Sequence, residues 1–174
     1  MQTAALILAI TVPGEAAFDQ IVRRHEAQVL RIAYRVLGSW ADAEDVAQDV
    51  FVRLHRHGTD FPQDAAIGPW LYRVAVNLCI DRSRRKRPTS ELREVVSSHP
   101  SAEKELLHSE RKRLLMLALA TLPAKERAAV VLREIEGIST AEVAAILGSS
   151  EATVRSQVSK AIARLRTQLN SESI

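Results

Sequence analysis

The sequence predicts an all-α protein made of two small helical domains joined by a flexible linker. Three observations carry this expectation: apolar residues recur at helical spacing along most of the chain, strand-like alternation is almost absent, and one stretch rich in Pro and Ser interrupts the pattern. At 174 residues, 47% hydrophobic and 26% charged, the chain has enough material for two modest cores. The expected organisation is a tail over 1–15, a three-helix unit over 16–87, a linker over 88–101 and a four-helix unit over 102–170.

The opening MQTAALILAITVPGEAA holds a short apolar run. It lacks a basic leading region and is too short to cross a bilayer, so a cytoplasmic protein without membrane insertion is expected. Phe18, Ile21, Val22, Val29, Ile32, Ala33, Val36 and Leu37 then mark an amphipathic helix that stops near Gly38 and Ser39. A second helix runs from about Ala41 to Arg56, with Val46, Val50, Phe51 and Leu54 as its apolar stripe. Gly58, Pro62 and Gly68 punctuate the segment from His57 to Gly68 as a loop. Pro69 suits the first turn of a third helix, whose Trp70, Leu71, Val74, Ala75 and Leu78 are expected to pack inward. That helix passes into a basic run and stops at Pro88.

From Pro88 to Ser101 the chain reads PTSELREVVSSHPS, with no sustained apolar period, which is the composition of a linker. Fully extended it reaches about 45–50 Å, more than one DNA turn of about 34–36 Å. A fourth helix is expected from Ala102 through Leu119, ending before Pro123, and a short helix from Lys125 to Glu136. Two further helices follow in GISTAEVAAILGSSEATVRSQVSKAIARLR. Ser139 with Glu142 forms a capping-box start, Gly148 suits a left-handed stop, and Ser149 and Ser150 offer caps for the next helix. In that last helix Val154, Val158, Ala161, Ile162 and Leu165 share one side. Thr153, Ser156, Ser159, Lys160 and Ala163, flanked by Arg155 and Gln157, occupy the other. A face that is small and hydrogen-bonding fits a DNA major groove, and it equally fits the solvated surface of an ordinary helical hairpin.

Charge is uneven although its sum is only +3. Arg82, Arg84, Arg85, Lys86 and Arg87 cluster against Asp81 alone, while Asp42, Glu44, Asp45 and Asp49 form an acidic group, so two different partners are expected. Asp45, Gln48 and Asp49 share a helix face that repels DNA and suits a basic protein surface; a solvated face is the plain alternative. The single cysteine, Cys79, excludes an internal disulfide and suits a buried small hydrophobe. The five histidines lack ligand spacing, and no third ligand cluster or general base accompanies the acidic face, so neither a metal, a cofactor nor catalysis is expected. Trp70, Tyr72 and Arg73 beside the later cations are the mixture that binds single-stranded DNA, although core packing suits Trp70 better.

The ordered set AEDVAQDVFVRL at Ala43 to Leu54, PWLYRVAVNLCIDRSRRKRP at Pro69 to Pro88, LPAKERAAVVLREIEGIS at Leu122 to Ser139 and the helix-turn-helix resembles the bacterial RNA polymerase sigma factors of the extracytoplasmic-function type. The resemblance covers about residues 16 to 170. It implies that the first unit is sigma domain two, binding core RNA polymerase through Asp45, Gln48 and Asp49 and melting the minus-ten promoter element. Asn77 falls where the family contacts an extruded base, although a polar cap or loop residue is its plain reading; Arg82, Arg84, Arg85 and Arg87 would hold phosphates. Sigma domain four would read minus-thirty-five DNA through Thr153, Arg155, Ser156, Ser159 and Lys160. The family commonly has arginine where this chain has Gln157 and Lys160, so the preferred sequence does not carry over. An anti-sigma factor is the further partner the resemblance implies.

Overall fold

The computed structural model describes residues 13–57, 66–85 and 103–171. Among them there is no strand. Helix α1 (Pro13–Leu37) packs against α2 (Trp40–His57) and α3 (Ile67–Arg85). The second group begins with α4 (Glu103–Ala120) and α5 (Ala124–Val130), which passes into a π-helical turn at Val131–Ile135. It closes with α6 (Thr140–Leu147) and α7 (Glu151–Ser171). The linker Pro88–Ser101, the apolar run of the tail through Val12, Lys86 and Arg87 lie outside the described residues.

The apolar stripes bury as their spacing requires. Val29, Ile32 and Val36 of α1 meet Val46, Val50 and Leu54 of α2 and Leu71, Val76 and Cys79 of α3, all fully enclosed. Burial pushes the Cys79 thiol up to about 12, so it is an inert core group rather than a nucleophile. In the second group Leu119, Leu132, Val143, Ile146, Val154 and Ala161 form the centre. Each of these Leu, Ile and Val side chains contributes about 1.5–3 kcal/mol by leaving water. Leu114 and Leu115 of α4 are by contrast exposed.

The turns are built from the residues that signalled them. Ser139 Oγ accepts from the Glu142 N–H while the Glu142 carboxylate accepts from the Ser139 N–H, the reciprocal capping box. Those bonds from Ser139 hold the Glu142 carboxyl below the usual range. Gly148 takes φ 59°, the left-handed conformation that ends α6 and aims α7 away.

Two local features differ from the sequence expectation. Helix α3 starts at Ile67, so Gly68 is not a loop residue but a buried helical one. A Cβ there would sit 3.3 Å from the His25 ring, so the close approach of α1 selects glycine at this position. The short helix before the helix-turn-helix widens into the π-turn, where the Glu136 N–H reaches the Val131 carbonyl at 2.9 Å and the Ile138 N–H reaches Leu132 at 3.0 Å.

The two groups of helices share a continuous core. Helices α4 and α5 and the π-turn rest on α1, and α5 and α6 rest on α3. Arg35 of α1 forms an ion pair with Glu136. Arg127 of α5 donates to the Val36 carbonyl at 2.7 Å, and also to Ala120 at 2.5 Å and Leu122 at 3.0 Å. One guanidinium thereby satisfies carbonyls at the C-terminal ends of α1 and α4, where helices leave such groups unpaired and where their dipoles favour a cation.

Candidate docking and nucleic-acid interfaces

Helix α7 presents the expected two faces. Val154 and Ala161 are fully enclosed and Val158 is nearly so, which turns Thr153, Arg155, Ser156, Ser159, Lys160 and Ala163 outward, all exposed. The Ser150 hydroxyl caps the helix by accepting the Thr153 N–H at 3.1 Å, and the two hydroxyls lie 2.8 Å apart. Thr153 therefore belongs to the cap network at the edge of the face. Arg155 donates to Glu151 at 2.6 Å, an exposed pair one turn apart that contributes little and can be exchanged for a phosphate. Ser156, Ser159 and Lys160 complete a face with hydroxyl donors and acceptors and one ammonium.

On α3, Asn77 lies mid-helix on the exposed side, with Arg73 one turn before it and Arg84 two turns after it. That placement removes the cap or loop reading of Asn77. Arg84 and Arg85 are exposed near the helix end. Trp70 is half-buried and packs against the hydrophobic core, its ring 5.1 Å from that of His57.

On α2, Asp45, Gln48 and Asp49 are exposed together, as their spacing requires once Val46 and Val50 point inward. Among the described residues no cluster of three or more His, Cys, Asp or Glu side chains is arranged to hold a metal ion, and no helix is long and apolar enough to cross a membrane.

Two family descriptions match these regions: sigma-70 region 2 over residues 21–89, and sigma-70 region 4 over residues 112–165. The ECF RNA polymerase sigma factor SigM of Mycobacterium tuberculosis is 40% identical over 164 residues, covering 92% of this chain and 82% of SigM. The chain belongs to the ECF sigma factors. SigW of Bacillus subtilis is 30% identical over 166 residues, covering 88% of this chain and 89% of SigW. In three dimensions the chain is similar to CnrH, solved in complex with the cytosolic domain of CnrY, with a TM-score of 0.68 and 28% identity over 91% of each chain. RpoE of Bartonella quintana, solved with the anti-sigma factor NepR, shares the fold at a TM-score of 0.68 and 24% identity, covering 88% of this chain and 96% of that one. This sigma factor directs RNA polymerase to promoters.

Within the sigma factor, several side chains sit otherwise than sequence spacing suggested. Tyr72 is not a stacking platform, because it faces the core and its hydroxyl donates to Gln28 at 2.5 Å with His25 Nδ1 at 3.3 Å. Burial raises the Tyr72 pKa, and burial followed by the Arg24 charge lowers that of His25. Arg82 does not project with Arg84 and Arg85. It folds onto α2, donating to Asp45 at 2.6 Å and lying 3.3 Å from Asp42. Gln157 is half-buried with its Oε1 turned into the protein, so it is not a flank of the α7 face. Val52 is a residue the sequence reading missed. It is 41% exposed and follows Asp45, Gln48 and Asp49 on one stripe, a signal available in the spacing i, i+3, i+4, i+7.

Proposed function

We propose that the three exposed faces divide the work of initiation. Asp45, Gln48 and Asp49, with Val52 among them, dock on the clamp helices of core polymerase. Asn77 holds an extruded minus-ten base while Arg84, Arg85 and Arg87 hold phosphates, with Arg82 beside them. Thr153, Arg155, Ser156, Ser159 and Lys160 meet the minus-thirty-five element. The observation that supports this division is the chemical contrast between exposed faces on separate helices: acidic with one apolar residue on α2, amide and cationic on α3, hydroxyl-rich on α7. A face of carboxylates repels DNA and attracts a basic protein surface, whereas an amide between cations suits a flipped base.

The action is binding without catalysis, in the cytoplasm. We take the units as 16–87 and 102–170, with 88–101 as the tether between them. An anti-sigma factor is the further partner, a reading supported by CnrH being found in complex with CnrY.

The docking face is tested by Asp49→Lys combined with Gln48→Ala. Charge reversal against a basic surface costs several kcal/mol, so affinity for core polymerase should fall by at least about tenfold while circular dichroism is unchanged. An unaltered dissociation constant for core polymerase removes α2 from the docking role.

A further inference from the structure

The polymerase face and the promoter face meet at one ion pair. Arg82, near the end of α3, donates through Nη2 to Asp45 Oδ2 at 2.6 Å, and its Nε lies 3.3 Å from Asp42 Oδ1. The two carboxylates differ in setting. The Asp42 side chain is only 13% exposed and stands in the first turn of α2, where its N–H reaches Ser39 Oγ at 3.4 Å. The Asp45 side chain is 60% exposed and open to an incoming surface. The guanidinium thus has one enclosed partner and one exchangeable partner.

We propose that Asp45 restrains Arg82 in the free sigma factor, and that docking of a basic polymerase surface on Asp45 releases the Arg82 Nη groups to promoter phosphate. This rests on the assignment of α2 to polymerase and of the α3 cations to DNA. Two carboxylates on one guanidinium leave a net negative group that repels an approaching phosphate, so Arg82 contributes little to DNA binding until a polymerase cation neutralises Asp45. Exposed pairs of this kind are weakly held, and a cation from the partner can replace Arg82 at small cost. Asp42 retains Nε throughout, so the guanidinium stays anchored on α2 and only its Nη groups turn to the phosphate. Arg82 is therefore a positioning residue before docking and a phosphate contact after it. Coupling of this sort is reciprocal, so minus-ten DNA also strengthens polymerase docking by the same factor.

The test is fluorescence anisotropy of a single-stranded non-template oligonucleotide carrying the minus-ten element, titrated with the full chain alone and with the chain saturated by core polymerase. Asp45→Asn removes the restraint, and Glu44→Gln removes the same charge one residue away without altering the Arg82 pair. In the free chain Asp45→Asn should tighten oligonucleotide binding about two- to fivefold beyond Glu44→Gln, the range an exposed pair supplies. Its salt dependence should also steepen by about 0.7, one single-strand phosphate contact. Arg82→Gln keeps a neutral donor for Asp42, and in that background the gain should vanish. Saturation with polymerase should likewise erase it, because docking has already released the arginine. Equal gains for Asp45→Asn and Glu44→Gln, a gain that survives Arg82→Gln, or a gain undiminished by polymerase would each overturn the coupling. A wild-type complex that prefers the minus-ten oligonucleotide no more than a scrambled one, or an Asp45→Asn chain with unchanged polymerase affinity, instead overturns the assignment of the faces on which the coupling rests.

Discussion

Replacing Arg127 with Met should cost about 2–4 kcal/mol of stability, the largest effect expected of any single substitution outside the apolar core. The guanidinium donates to Val36, Ala120 and Leu122, and Met keeps the length of the stem while removing all three bonds. Hydrogen bonds from a charged donor are worth about 1.5–3 kcal/mol each; water replaces part of that at the exposed Ala120 contact, and burial of the apolar Met stem offsets a further part. Burial lowers the Arg127 pKa from the usual arginine range. Arg127→Lys should recover only part of the loss, because a single ammonium cannot span carbonyls at two helix ends. Urea unfolding followed by circular dichroism checks this: with a slope of about 2 kcal/mol/M the midpoint should fall by about 1–2 M. A midpoint unchanged in Arg127→Met would show that these helix ends do not depend on the guanidinium.

The second large effect lies in promoter opening. Asn77→Ala should leave core-polymerase binding intact and reduce open-complex formation on duplex promoters by about 5- to 150-fold, equivalent to the 1–3 kcal/mol of one good base contact. Asn77 is exposed between Arg73 and Arg84, so its removal should not disturb the fold. On a template whose bubble is already open, the cost of extruding the base has been removed and the variant should approach wild type. Permanganate reactivity of minus-ten thymines distinguishes the cases. Normal reactivity on duplex DNA in the variant would take Asn77 out of melting.

What was legible in the chain was local. The capping box at Ser139 and Glu142, the left-handed Gly148 and the inward side of α7 all depend on residues within three or four positions of one another, and each is found where spacing placed it. The same holds for Asp45, Gln48 and Asp49, whose exposure follows from the burial of Val46 and Val50 on the other side of one helix. What spacing could not reach was contact between distant segments. Arg82 and Asp45 are 37 positions apart, so two residues expected to serve different partners prove to hold each other. Arg127 and Val36 are 91 apart, and nothing in the motif around Arg127 indicates that it caps a helix of the other unit. Gly68 resembled loop punctuation because the reason for a glycine there, the His25 ring of α1, is absent from its own neighbourhood. Tyr72 resembled a stacking ring for a similar reason, its hydroxyl partners Gln28 and His25 lying on another helix.

Separate faces of one chain are expected to bring core polymerase to a promoter and open it there. Run-off transcription measures this directly: the purified chain is added to core RNA polymerase on a template carrying both promoter elements, and on matched templates lacking either one. The expected transcript requires the chain, is lost with Asp49→Lys and Gln48→Ala through failed docking, and is lost with Asn77→Ala unless the bubble is opened beforehand. On a library of minus-thirty-five sequences, substitution of Ser156 or Lys160 should change which bases are preferred, by about 1–3 kcal/mol per contact, while Arg84→Ala weakens all sequences alike. Transcription that is indifferent to both elements, or that survives loss of the α2 and α3 faces unchanged, would show that these faces do not divide docking from opening.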